Sequence, residues 1–183
     1  MVFLKTELLL LGDITVPGFL VESGHLTVIK WPKPKGGKEE HLFYEKLSVI
    51  PIQNFPDNEM RATEANPYNT SFLALTLEKL LKQCSCDTDL ENVINEREGE
   101  NVHSEAIANI PLSVRVVLAI AQASVNSKVV VYNTVGLDPL GLLMITKYVR
   151  ARSKKGWGFI EICFPILGDI PTTHVSIETK VVV

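Results

Sequence analysis

Three stretches of this 183-residue chain combine residue types that could do chemistry. The first is Pro32-Lys-Pro-Lys-Gly-Gly-Lys-Glu39, where Lys33, Lys35 and Lys38 surround Gly36 and Gly37. Adjacent glycines leave backbone N–H groups open to an anion and lysines add charge. The loop therefore reads either as an exposed basic loop or as a residual anion site. The second stretch is the apolar run Val129-Val-Val-Tyr-Asn133, which stops abruptly at Thr134-Val-Gly-Leu-Asp-Pro-Leu-Gly141. Asp138-Pro139 there makes a good helix start, with Asp as cap and Pro in the first position. The third is Pro111-Leu-Ser-Val-Arg-Val-Val-Leu-Ala-Ile-Ala-Gln-Ala123. Glu161, inside Ile160-Glu-Ile162, is either a buried carboxylate or, as expected here, a group on an exposed edge-strand face.

Other arrangements offer less. Ser113 and Ser124 lack the Gly-x-Ser-x-Gly elbow of a hydrolase nucleophile. Cys84-Ser-Cys86 and Cys163 have no second ligand pair, whereas a closed zinc site needs four ligands. No catalytic residue and no metal ligand is assigned.

The elements that must position these stretches follow from pattern. Leu8–Ile14 and Gly18–Ile29 read as strands, with a turn at Glu22-Ser-Gly24. Glu39–Leu47 reads as a short helix and Leu47–Ile52 as a strand. Residues 53–69, with Pro56 and Pro67, read as loop. Leu73, Leu77, Leu80 and Leu81 put one apolar face on a helix over Thr70–Gln83. Residues 84–104 are rich in acids and read as a solvated loop or helix. Ser113–Asn126 is apolar almost all round, hence a buried helix with Ser113 as N-cap. Lys128–Tyr132 is a buried strand, Leu140–Ser153 a helix with a basic end, Gly158–Phe164 a strand, and His174–Val183 one or two terminal strands. Strands alternating with helices from residue 112 onward predict a parallel sheet, and the helix-free N-terminal strands predict an antiparallel flank.

Composition bounds the function. Hydrophobic residues make up 46% and charged residues 21%, enough apolar surface for a substantial core. The expected organisation is one domain over 1–183. It divides into a reduced N-terminal lobe (1–60), a helical segment (70–110) and a parallel-sheet core (111–183). A net charge of −3 argues against general nucleic-acid binding. The basic cluster Lys147–Lys155 is expected to be a solvated helix end. No apolar run reaches membrane-spanning length and the start lacks signal-peptide character, so a cytoplasmic location is expected. Attachment to a membrane would come through a partner.

In this order, the motifs resemble those of ATP-binding-cassette (ABC) ATPases. Thr134-Val-Gly-Leu-Asp-Pro-Leu-Gly141 is similar to the family's D-loop, which follows the strand that ends in the catalytic Asp-Glu (Walker B). Val131 and Tyr132 stand in place of those two acids. Leu112-Ser113 and Ala119-Ile-Ala-Gln-Ala123 resemble the signature motif and its helix, without the signature glycines. Ile166-Leu-Gly-Asp-Ile170 resembles the segment after the switch histidine, whose position falls at Pro165; His174 lies too far along to replace it. Pro32–Glu39 is similar to the phosphate loop at Gly37 and Lys38. Glu39, however, replaces the hydroxyl residue that ligates Mg²⁺, and the prolines remove N–H donors. Gln53, in Ile50-Pro-Ile-Gln-Asn54, matches the Q-loop glutamine that ends a strand.

The resemblance implies a P-loop-NTPase-like α/β fold: a parallel sheet flanked by helices, with a reduced antiparallel N-terminal part. It implies a non-catalytic, ABC-ATPase-like binding, scaffold or regulatory subunit, since phosphoryl transfer depends on positioned metal and water. The expected contact surface is the D-loop face at Gly136, Leu137, Asp138 and Pro139, and the expected partner is a second copy or an active ATPase subunit. ATP, were it retained without efficient hydrolysis, would use Lys35, Gly36, Gly37, Lys38 and Gln53. An unrelated α/β enzyme or ligand-binding domain is the third reading, to be recognised by a different sheet order. Trp31 filling the loop region would close the nucleotide question.

Overall fold

The computed structural model describes residues 1–12, 14–31, 38–53, 61–84, 87–98, 106–163 and 176–181. The chain opens with β1 (Val2–Lys5), β2 (Leu9–Leu11), β3 (Ile14–Val16), β4 (Leu20–Glu22) and β5 (His25–Lys30), then α1 (Lys38–Ser48) and β6 (Thr63–Glu64). Next come α2 (Thr70–Leu73), α3 (Leu77–Gln83), α4 (Thr88–Glu98) and α5 (Leu112–Asn126). The chain continues with β7 (Val129–Asn133), α6 (Pro139–Lys154), β8 (Gly158–Cys163) and β9 (Ser176–Val181).

The central sheet has the order β6-β7-β8-β5-β9. Its first four strands run parallel, and β9 joins β5 antiparallel. Two antiparallel pairs, β1–β4 and β2–β3, form the small N-terminal flank. A parallel sheet with a small antiparallel flank is as expected, but the parallel core is not confined to 111–183: β5 and β6 supply two of its four strands, and the terminal β9 is antiparallel. β7 reads as continuously apolar because both of its faces are covered. Val130 and Tyr132 enter a core beneath α3 to α6. Val129 and Val131 enter a second core formed with α1 and the N-terminal strands.

The structure corrects several expectations about elements. Residues 70–83 form two helices, because Thr76 adopts extended backbone, bridges Ala106 and caps α3 by accepting from the Lys79 N–H. A tertiary contact overrides the helical period there. The expected strand Leu47–Ile52 is absent: α1 runs to Ser48, with Phe43 and Leu47 four residues apart in the core. Beyond it, Pro51 makes an isolated bridge to Arg61. Residues 53–69 contain β6, whose two residues pair with Val130 and Val131. The acidic stretch contains α4, and its Leu90, Val93 and Ile94 are buried. Ser113 is not a cap; Pro111 precedes α5, and Ser113 is buried in the first turn without a hydroxyl partner among the described residues.

The basic end of α6 is not merely solvated. Lys147 pairs with Glu96, Lys155 with Asp89 and Arg152 with Asp87, so acids of α4 and the turn before it meet three cations of this end. Among the described residues no helix is long and apolar enough to cross a membrane.

Candidate functional site

The path of the chain sets where a ligand or partner can be met. β5 leads to α1 on one face of the sheet, whereas β7 leads to α6 on the other. In open α/β sheets such a reversal opens a crevice at the carboxyl ends of the strands. β5 ends at Lys30 and α1 begins at Lys38. Lys38 is the exposed first residue of α1. Lys35, Gly36 and Gly37 lie outside the described residues, as do Pro165, Ile166–Ile170 and His174. Trp31 is in the core, 1% exposed, with its ring centroid 5.2 Å from that of Phe43 under α1.

Electrostatics around Lys38 are mixed. Glu39 and Glu40 fill the first turn of α1, where the helix dipole favours negative charge. Tyr44 donates its hydroxyl to Glu40 at 3.1 Å. Burial raises the Glu40 carboxyl above its usual range, against hydrogen bonds from Tyr44 and Asn133 that lower it. Glu64 is raised too, by desolvation and then by the Glu40 charge, although much of its surface is open. A cavity of about 230 Å³ lies between α1 and the β6–β7 edge, with Tyr44, Leu47, Ala62, Glu64 and Val131 in its wall. Gln53 is exposed, and its N–H donates to the Phe3 carbonyl at 2.7 Å. It follows an isolated bridge and does not end a strand of the central sheet.

At the end of β7, Val131 and Tyr132 are 1% and 2% exposed and turn into opposite cores. Each has a glutamate as its paired neighbour on the adjoining strand: Glu64 opposite Val131, and Glu161 opposite Tyr132. Glu161 is therefore on a central strand and half-buried, not on an edge. It accepts from the Thr134 hydroxyl at 3.2 Å and from the Tyr132 hydroxyl. Burial, then the Glu161 charge, pushes the Tyr132 phenol far above its ordinary value. Sequence reading could not find this pairing, because it depends on strand register.

The turn after β7 is held from several sides. Leu137 donates its N–H to the Thr134 carbonyl, and Gly136 between them has φ +77°, a conformation that favours glycine. Asp138 caps α6 by accepting from the Gly141 N–H, with Pro139 in the first helical position. Gly141 permits close packing of α6 on α5: a Cβ there would lie 2.7 Å from the Ser113 Cβ. Arg97 of α4 reaches across to Asp138 in a bidentate contact of 3.2 and 2.9 Å. The Arg97 guanidinium, then the Gly141 N–H, hold the Asp138 carboxyl below its usual range. Val135, Leu140 and Leu143 are exposed around this turn by 50%, 69% and 52%. Among the described residues no group of three or more His, Cys, Asp or Glu is arranged to hold a metal ion.

No protein-family model and no curated protein matches the chain. Solved structures do. CbiO1 from Clostridium perfringens, part of the ABC transporter complex cbiONQ, superposes with a TM-score of 0.60 at 15% identity, over 99% of this chain and 89% of that one. MJ1267, an ATP-binding cassette of an ABC transporter in its ADP conformation, gives 0.58 at 15% identity over 91% and 82%. An ATP-binding subunit of an ABC transporter gives 0.56 at 16% identity over 83% and 73%. The sheet order and these superpositions set aside an unrelated α/β architecture: the chain has the fold of an ABC-ATPase-type domain.

Proposed function

We propose that this chain is a non-catalytic ABC-ATPase-like subunit that binds or regulates another chain of the same fold through its D-loop face. The observation that carries the reading is the burial of Val131 and Tyr132 in opposite cores, directly before a turn that exposes Val135, Pro139 and Leu140. Hydrolysis needs carboxylates that hold Mg²⁺ and position water at the phosphates. The residues at these two positions provide packing, while Gly136, Leu137, Asp138 and Pro139 form a shaped surface. A second copy or an active ATPase subunit is the partner; attachment to a membrane would follow from that partner. The purified chain should show no Mg²⁺-dependent ATP hydrolysis. Turnover that disappears in Lys38→Ala would overturn the proposal.

A second reading, ATP binding without efficient hydrolysis, is favoured by Lys38 at the start of α1 on the carboxyl edge of the sheet. Lys35, Gly36 and Gly37 would complete that site, without Gln53, which lies beyond α1 beside Phe3 and near the bridge to Arg61, toward the starts of the parallel strands. The carboxylates of Glu39, Glu40 and Glu64 nearby oppose a polyphosphate. Millimolar ATP should raise the melting temperature of the wild type but not of Lys38→Ala. The absence of a wild-type shift removes this reading.

A further inference from the structure

We propose that the cavity between α1 and the β6–β7 edge binds a small primary alkylamine in its ammonium form. Neither Lys38 nor the turn after β7 borders this cavity. The site therefore needs neither the partner contact nor the ATP site proposed above.

The cavity measures about 230 Å³. That is room for roughly seven waters, which suits a small molecule and not a nucleotide. Its wall has two characters. Leu47, Ala62 and Val131 make an apolar floor, with 1%, 5% and 1% of their surfaces exposed. Tyr44, Glu45 and Glu64 border the same space with oxygen-bearing side chains. Glu40, one turn before Tyr44, accepts the Tyr44 hydroxyl, and its charge is felt at Glu64. Among the described residues no lysine or arginine forms an ion pair with Glu40, Glu45 or Glu64; the ion pairs lie within α3 and around α6. Carboxylates that crowd one another beside apolar surface, with no countercharge, disfavour each other's ionised forms. A cation in the cavity removes that penalty.

The wall selects among cations. An alkylammonium carries three N–H donors and no acceptor. Glu45 and Glu64 offer carboxylates, and the Tyr44 hydroxyl, its proton given to Glu40, is left to accept. The alkyl stem covers Leu47, Ala62 and Val131. A guanidinium spreads five donors in one fixed plane and would strand some of them against the apolar floor. A hard metal ion takes about six oxygens, and no group of three or more His, Cys, Asp or Glu among the described residues is arranged to hold one. Anions are repelled.

The test titrates n-butylammonium chloride into the isotope-labelled full chain, at neutral pH and constant ionic strength, and follows the backbone amides by NMR. The probe should shift the amides of Tyr44, Leu47, Glu64 and Val131 saturably at millimolar concentration and leave those of α4 and α6 in place. Glu64→Gln keeps the side-chain size and should bind about tenfold more weakly, the loss of one charge-assisted contact. Ala62→Leu fills the cavity without changing any charge and should abolish the saturable shifts. Ala62 is buried, so Glu45→Gln, at an exposed position, provides a further arm and should weaken binding severalfold; the same spectra verify that each variant is folded. Butanol has the stem without the charge, and tetramethylammonium the charge without N–H donors; neither should reproduce the shifts. The site is overturned if butylammonium gives no saturable shift at high millimolar concentration, or if its shifts spread over acids elsewhere. It is equally overturned if tetramethylammonium acts as well, or if folded Glu64→Gln binds with wild-type affinity.

Discussion

Asp87→Ala tests what holds α6, and with it the turn after β7, against the helical layer. Asp87 is 6% exposed and pairs with Arg152, itself 15% exposed, at 3.3 Å. It also accepts the Tyr148 hydroxyl at 2.7 Å. Removing one member of a buried ion pair costs about 3–5 kcal/mol, since the other charge is left uncompensated. The lower end applies here, because Arg152 stays stacked on Trp157 with its Cζ 3.9 Å from the ring centroid. Tyr148 loses an acceptor, which adds about 1 kcal/mol. The sum is about 4 kcal/mol, or a melting temperature lower by roughly 8–16 °C for a chain of this size. Urea unfolding followed by far-ultraviolet circular dichroism should show a lower midpoint with an unchanged slope. Arg152→Met in the same chain should recover more than half of the loss, because no buried charge is then left alone. A loss below about 1 kcal/mol, or a double variant no more stable than the single one, would refute the argument.

Other expectations follow from the same contacts. Gly141→Ala should destabilise by about 1–3 kcal/mol in thermal melts, because its methyl meets Ser113 at 2.7 Å; an unchanged melt would mean that α5 and α6 part freely. Tyr132→Phe removes one hydrogen bond to Glu161 and should cost about 1 kcal/mol, read by the same unfolding curves. The raised carboxyls of Glu40 and Glu64 bind protons more tightly when folded, so they make stability rise as pH falls from neutral toward their unfolded values near about 4.3. Glu64→Gln should flatten that rise. Asp138 acts in the opposite sense: its depressed folded value provides stability present above about pH 3.9 and lost as pH falls through the folded value. Asp138→Asn should reduce the acid-side loss in melts at low salt.

Local signals made the C-terminal half legible. The reading of a helix over Ser113–Asn126, a strand over Lys128–Tyr132 and a helix over Leu140–Ser153 differs from α5, β7 and α6 by one residue at nearly every boundary. A long apolar helix, a doubly covered strand and an Asp-Pro cap are each encoded within a few residues. The Asp138 cap was legible for the same reason. β6 was not, because two residues carry no period and Thr63–Glu64 is a strand only through its pairing with β7. The position of Gln53 was misread along with the strand expected before it. Glu64 and Glu161 as flanking neighbours of Val131 and Tyr132 could not be read at all, since register belongs to the folded sheet. Arg97 was equally hidden: the contact joins residues 41 positions apart.

The two glutamates beside β7 also limit which side chains that strand can carry. An acid introduced at position 131 would stand next to Glu64 and near Glu40, and one at 132 next to Glu161. Like charges at such spacing, among Ile160, Ile162 and Phe159, disfavour one another's ionised forms. A carboxylate introduced at either position would thus be driven toward its neutral form, at a cost in stability. The end of β7 is thereby closed to acidic side chains by its neighbours' charge as well as by the two cores that Val131 and Tyr132 fill.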